Sequence, residues 1–323
     1  MTQMNANGTP AGIGGRVLVT GGAGFIGSHL VERLVADGAD VTVVDNLSSG
    51  CLSNLQAVLR RVTLVVGDLA DLLRLNRLDL CDYGQVFHLA ANAYIPPSVE
   101  NPGYDFHANL YNTFMLLDAL RRLPRPPRLT AASSAAVYGN PVRLPVQEAD
   151  PTVPISPYGV SKLAGERYVA VYSQIYGLRA TSLRFFSIYG PRQRKQVVYD
   201  LFLKLRANPR RIEVLGDGSQ RRDFVYVTDV VQALVLAATV APAEGEVYNV
   251  ASGTTHTIAE LVAAWCAVCG ITPTVAYSGQ VRPGDAQEWA VDLTNLRRLG
   301  FEPQIALGQG LGAIRDWYDA ADT

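Results

Sequence analysis

Tyr158 and Lys162 stand four residues apart in SPYGVSK (156–162). Pro157 beside them favours the first turn of a helix, so the two side chains are expected on one helix face. An ammonium that close favours phenolate, and is expected to lower the tyrosine pKa toward working pH. Tyr158 would then be a proton acceptor for an alcohol. Upstream, SSAAVYG (133–139) places Ser134 at the end of the apolar run RLTAASS, where its hydroxyl can hydrogen-bond the same reacting oxygen. A tyrosine and a lysine at this spacing are also a common accident, so their weight depends on what surrounds them.

A second constellation lies near the start. VLVTGGAGFIGSHL (17–30) puts Gly21, Gly24 and Gly27 between a β-branched run and a helical one. Gly21 suits a tight turn, Gly24 lets a pyrophosphate approach a helix N-terminus, and Gly27 lets helix and strand pack closely. Asp45 ends the next apolar run, in VVDN, where a carboxylate accepts from the adenosine ribose hydroxyls and repels a 2′-phosphate. Strand, glycine turn, helix and acid together point to a bound dinucleotide, NAD rather than NADP. Asp68, in VVGDLAD, is placed to reach the adenine edge. Phe25, Ile26, Asn46, Leu69, Leu89 and Ala90 adjoin these positions and are read as cofactor lining, together with Tyr158 and Lys162. A hydride acceptor, a tyrosine base and an ordering serine can oxidise an alcohol.

The elements that must hold these groups are legible as alternating patterns. RVLVT (16–20), DVTVVD (40–45), RVTLVVGD (61–68), QVFHLA (85–90), RLTAASS (128–134) and RATSLRFF (179–186) are continuous apolar runs. Strands buried on both faces of a parallel sheet read this way. Helical stretches separate them, including one expected over PGYDFHANLYNTFMLLDALRR and one from near Tyr158. The fold class expected is α/β, a doubly wound parallel sheet (Rossmann) with a smaller mixed α/β substrate lobe. The divisions expected are a loose tail over 1–14, the NAD-binding domain over 15–190 and a substrate lobe over 191–323, with the two lobes interleaved.

Composition narrows the classes. The chain has 323 residues, 48% hydrophobic, with 28 basic and 29 acidic side chains and a net charge of −1. This argues against a nucleic-acid or membrane-surface protein. No apolar run is long enough to span a bilayer, and MTQMNANGTPAGIGG does not read as a secretory signal. Cys266 and Cys269 have the spacing of a redox or zinc pair, but no second Cys/His pair follows, so no metal site is expected. They read as small residues on a buried helix. With Cys51 and Cys81 they fit a reducing cytoplasm.

GGAGFIG, HLAA (88–91), SSAAVYG and YGVSK resemble the extended short-chain dehydrogenase/reductases, and RFFSIYGPRQ, GDGSQRRDFVYVTDV and VRPGD carry the likeness into the second half. Within that superfamily the chain is similar to NAD-dependent nucleotide-sugar epimerases, with UDP-glucuronate 4-epimerases the nearest match. The resemblance implies a retained NAD, catalytic Ser134, Tyr158 and Lys162, a UDP-sugar substrate and a homodimer joined through helices near 103–123 and 158–175. It also implies substrate contacts from Ser133, Ser134, Leu215, Arg222, Arg282 and Asp285. Related dehydratases need an Asp-Glu pair after the catalytic Ser or Thr. Here Ala135 and Ala136 stand there, and methyl groups transfer no protons.

RFFSIYGPRQRK (184–195) holds four cations and no acid. Neutral-hexose epimerases usually carry Asn where Ser187 stands. A small hydroxyl there, with an arginine seven residues on (here Arg194), resembles the uronate enzymes. A hydroxyl and a guanidinium suit a C6 carboxylate. The expected reaction is therefore UDP-glucuronate to UDP-galacturonate, by oxidation at C4 and return of hydride to the other face. UDP-glucose or UDP-N-acetylglucosamine epimerisation, a simple reductase and a non-catalytic NAD-binding sensor are the alternatives.

Overall fold

The computed structural model describes residues 12–280 and 288–321. Strands β1 (Arg16–Thr20), β2 (Asp40–Asp45), β3 (Val62–Val66), β4 (Gln85–His88), β5 (Arg128–Ser134) and β6 (Ala180–Phe185) are joined by helices. These are α1 (Phe25–Ala36), α2 (Leu69–Arg74), α3 (Ile95–Glu100), α4 (Pro102–Asp105), α5 (Asn112–Leu120) and α6 (Pro157–Tyr176). With β10 (Glu244–Val250) the six strands form one sheet in the order β10-β6-β5-β4-β1-β2-β3. Each pairing in it is parallel. The order reverses direction between β1 and β4, and in open α/β sheets ligands bind in the crevice at such a point, beyond the strand C-termini.

The second half supplies β7 (Ser187–Tyr189), α7 (Gln196–Ala207), β8 (Arg211–Val214), β9 (Arg221–Tyr226) and α8 (Val227–Thr239) before β10. After it come β11 (Thr255–Thr257), α9 (Ile258–Cys269), β12 (Thr274–Tyr277), α10 (Thr294–Arg298) and α11 (Leu307–Ala321). A three-stranded sheet, β11-β9-β7, and a two-stranded one, β12-β8, lie outside the main sheet. The chain does not divide cleanly at residue 190: β10 re-enters the main sheet beside β6, and α8 packs on β5 and β6.

Continuous burial explains the sheet. β6 is buried at all six positions, and β1 and β2 at all but the first. Helix α6 starts where Ser156 accepts from the Gly159 amide with Pro157 in the first turn, and stops at Gly177 in the left-handed region. The helix expected over 102–122 runs without a gap from Pro102 to Leu120 but changes pitch inside. α4 gives way to a π-helical stretch, Phe106–Tyr111, before α5 resumes. Cys266 and Cys269 lie on α9, half-buried rather than fully buried.

Candidate active site

A cleft of about 640 Å³ opens at the C-terminal ends of β1, β2, β4 and β5 and is closed on its far side by the segments around β7 and β9. Its lining brings together Gly21, Gly24, Phe25, Ile26, Gly27, Asp45, Asn46, Asp68, Leu69, Leu89 and Ala90. Ser133, Ser134, Tyr158, Lys162, Ser187, Arg194 and Arg222 line it too. Leu215 does not; it lies 37% exposed after β8, because the turn that carries it follows the small β12-β8 sheet. Arg282 and Asp285 lie outside the described residues.

The turn after β1 is shaped by its glycines. Gly21 has φ +73°, and a Cβ there would meet the Ala90 amide nitrogen at 2.6 Å. A Cβ on Gly27 would stand 2.1 Å from the Gly21 carbonyl oxygen, so α1 rests on the turn only because Gly27 has none. Gly24 caps α1 without a side-chain acceptor, which leaves the helix N-terminus open to an anion. At the end of β2, Asp45 accepts from the amides of Ala23 (2.9 Å) and Leu47 (2.8 Å), and these two donors fix the carboxylate orientation. Asp68 caps α2, accepting from the Ala70 amide, with Asn112 Nδ2 3.4 Å away. The cradle, the open helix end and the oriented acid fit a dinucleotide without a 2′-phosphate.

Ser134 ends β5, and its Oγ accepts from the Ala136 amide at 3.2 Å. Burial pushes Tyr158 up to about 12, Ser134 opposes that rise, and the Asp105 carboxylate adds to it. The expectation that Lys162 lowers Tyr158 is therefore corrected: burial sets the direction of the shift, and it is upward. Burial pulls Lys162 down to about 8, against Asp105 and Glu166, which hold it up. Ala135 and Ala136 line the cleft directly after Ser134.

Ser133 lines the cleft while its hydroxyl turns toward the core. Its hydroxyl donates to Glu166 at 2.9 Å, and Glu166 is in turn ion-paired to the buried Arg184. Strand alternation explains this, since neighbours in β5 point to opposite sides.

The basic stretch resolves into separate tasks. Arg184 is spent on Glu166 and the Tyr138 hydroxyl. Arg192 reaches Glu32 and Ser28 on α1, and Lys195 sits 5.9 Å from the Tyr94 ring centroid. Arg194 is exposed, and its charge helps hold the Cys51 thiol below its ordinary value, after the larger effect of hydrogen bonds from Ser53. Arg222 is buried at 9% exposure and donates to the Arg221 carbonyl at 2.8 Å.

Several cleft residues carried no sequence signal. Cys51, Phe186 and Trp289 line it, the last two in an edge-to-face contact at 5.3 Å. Only the three-dimensional meeting of distant segments brings them there.

The model of the NAD dependent epimerase/dehydratase family matches residues 17–251, more than two thirds of the chain. The chain belongs to this family. Among epimerase/dehydratase relatives, the UDP-glucose 4-epimerase of Mycolicibacterium smegmatis is 35% identical, over 94% of this chain and 98% of that one. A UDP-N-acetylglucosamine 4-epimerase from Methanobrevibacter ruminantium M1, solved with UDP-N-acetylmuramic acid, superposes with a TM-score of 0.87 at 34% identity, covering 95% of this chain and 98% of that one. The UDP-glucuronic acid 4-epimerase from Bacillus cereus, solved with UDP-glucuronic acid and NAD, gives 0.86 at 29% identity, covering 95% and 99%. Among the described residues no helix is long and apolar enough to cross a membrane.

Proposed function

We propose that this protein is an NAD-dependent epimerase that inverts C4 of a UDP-hexose, with UDP-glucuronate, converted to UDP-galacturonate, as its preferred substrate. The observation that carries the reaction class is that Ser134, Tyr158 and Lys162 line the same cleft as the glycine turn and Asp45. Methyl groups at Ala135 and Ala136 support epimerisation over dehydration, because nothing at those positions can move the protons that elimination requires.

In this reading Gly21, Gly24 and the α1 N-terminus hold the cofactor pyrophosphate, and Asp45 holds the adenosine ribose. NAD, when bound, would accept and return a hydride. Tyr158 takes the proton of the 4-hydroxyl and gives it back after the sugar has turned. Ser134 fixes the direction of that hydroxyl. Lys162 supplies positive charge beside the phenolate only while protonated. Arg222 meets the diphosphate, and Ser187 with Arg194 meets the C6 carboxylate.

The uronate preference rests on Ser187 and Arg194 lining one cleft. The 4-keto form of a uronate is a β-keto acid, which loses carbon dioxide when the breaking bond aligns with the carbonyl π system. A carboxylate held away from that alignment is protected. A neutral-hexose reading draws on the exposure of Arg194 and its influence on Cys51, which would assign this guanidinium to the cofactor side.

The same reading extends to assembly as a homodimer. Val160, Tyr168, Val171 and Ile175 stand exposed along α6, beside exposed Phe106. The Phe114 ring meets Tyr168 at 5.9 Å, joining α5 to this stripe. A stripe of this kind suits burial against its own copy.

The test is incubation of pure protein, without reductant, with UDP-glucuronate, UDP-glucose and UDP-N-acetylglucosamine separately, with products resolved by chromatography. Conversion of the uronate is expected, with Arg194→Ala cutting that turnover about tenfold or more and releasing carbon dioxide and a UDP-4-ketopentose. Conversion of a neutral sugar alone, or full uronate activity without carbon dioxide from Arg194→Ala, contradicts the carboxylate assignment.

A further inference from the structure

Asp105 is 1% exposed and ends α4, against the helix that carries Tyr158 and Lys162. A carboxylate is rarely taken so far from water without partners. Its Oδ1 accepts from Asn92 Nδ2 (3.1 Å) and Asn109 Nδ2 (2.9 Å), and its Oδ2 accepts from Ser161 Oγ (2.7 Å). Asn109 extends the network: its Oδ1 accepts from the Asn92 amide at 2.7 Å, and its Nδ2 also reaches Ser161 Oγ at 3.1 Å. All three donors are neutral, and among the described residues no cation is recorded in ion-pair contact with Asp105.

The placement of these partners is informative. Ser161 is the residue before Lys162 and three after Tyr158, and its hydroxyl is also 3.0 Å from the Tyr158 carbonyl. Asn92 belongs to the cleft-side segment between β4 and α3. Asn109 lies in the π-helical stretch, and such stretches are enriched at functional sites. Three segments that border the cleft therefore converge on one buried carboxylate.

We propose that Asp105 is a positioning residue of the active site: it locks the Tyr158–Lys162 turn of α6 to the segment around Asn92 and supplies the fixed negative charge that Lys162 faces. This rests on the reading of Tyr158 and Lys162 as the reacting pair. The charged or titratable groups recorded as acting on Lys162 are Asp105 from α4 and Glu166 from its own helix. His88, on β4, feels Lys162 and stays neutral at working pH. Glu166 is already ion-paired to Arg184 at 2.6 Å. Asp105 is thus the carboxylate near Lys162 that has no recorded cation of its own.

Asp105→Asn keeps the shape and removes the charge. Without it Lys162 loses its proton at lower pH, so the alkaline limb of the kcat profile should move down by about one pH unit. Ser161→Ala keeps the charge and removes the hydrogen bonds of its hydroxyl, so its limb should stay in place while its Tm falls. A second measurement is independent of turnover. In a Lys162→Met background Asp105 becomes a buried charge without its opposite, so adding Asp105→Asn should raise Tm, whereas in the parent it should lower it. An unmoved alkaline limb in Asp105→Asn, or the same Tm change in both backgrounds, overturns the proposal. The Tm cycle stands whichever UDP-hexose proves to be the substrate, so its failure is distinct from failure of the sugar assignment.

Discussion

His88 ends β4 in a closed polar site, with Nδ1 2.8 Å from Thr20 Oγ1 and Nε2 3.0 Å from Thr113 Oγ1. Thr113 already donates to the Asn109 carbonyl at 2.5 Å, so its oxygen must accept from Nε2–H. Thr20 therefore donates to Nδ1, and the imidazole is fixed as one neutral tautomer. Burial pulls its pKa to about 3, with the Lys162 charge adding to the shift. Its ordinary value is 6.5. The unfolded chain binds this proton below pH 6.5 while the folded chain refuses it down to about 3. The contribution is complete above 6.5 and is lost as pH falls through that window. His88→Gln should cost about 1–3 kcal/mol at neutral pH and flatten the decline of Tm below pH 6.5. Parallel Tm curves for parent and variant would contradict this account. At this scale legibility depended on distance along the chain. Tyr158 and Lys162 were readable because one helical turn separates them. His88 and Asp105 were not, because their partners come from other segments, and the burial that raises Tyr158 cannot be read from spacing.

Helix α6 does two jobs with two faces. Val169 and Tyr172 pack inward with Gly165 and Glu166, while Val160, Val171 and Ile175 face out. Replacing Val171 and Ile175 together by glutamate should leave the inward face intact and prevent self-association. Light scattering on eluted fractions should show a dimer for the parent and a monomer for the variant; a monomeric parent, or a variant that stays dimeric, contradicts the homodimer reading. The start and stop of α6 were legible through Ser156, Pro157 and Gly177, whose local chemistry is sufficient. The π-helical stretch between α4 and α5 was not. Apolar spacing over 102–122 suits an uninterrupted helix, and the π stretch accompanies Asn109 turned into the Asp105 network. A side chain serving a distant carboxylate leaves no mark on local periodicity.

Across the molecule, the main sheet brings the cofactor turn and the Ser134–Tyr158 pair to the same edge, and the second half of the chain closes over it. The parallel sheet was readable because strands buried on both faces lose the alternation of a surface sheet. The return of β10 was not, since Glu244–Val250 looks like any short strand until β6 offers its edge. That return ties the second half into the first, so cofactor cradle and substrate wall are built on one framework. The central claim is that hydride leaves C4 of the hexose and comes back to the same carbon. The direct measurement uses UDP-glucuronate carrying deuterium at C4, turned over in ordinary water, with the product examined by NMR and mass spectrometry. The account predicts UDP-galacturonate with deuterium retained at C4 on the inverted centre. Hydrogen from water at C4, with the deuterium lost, would contradict it.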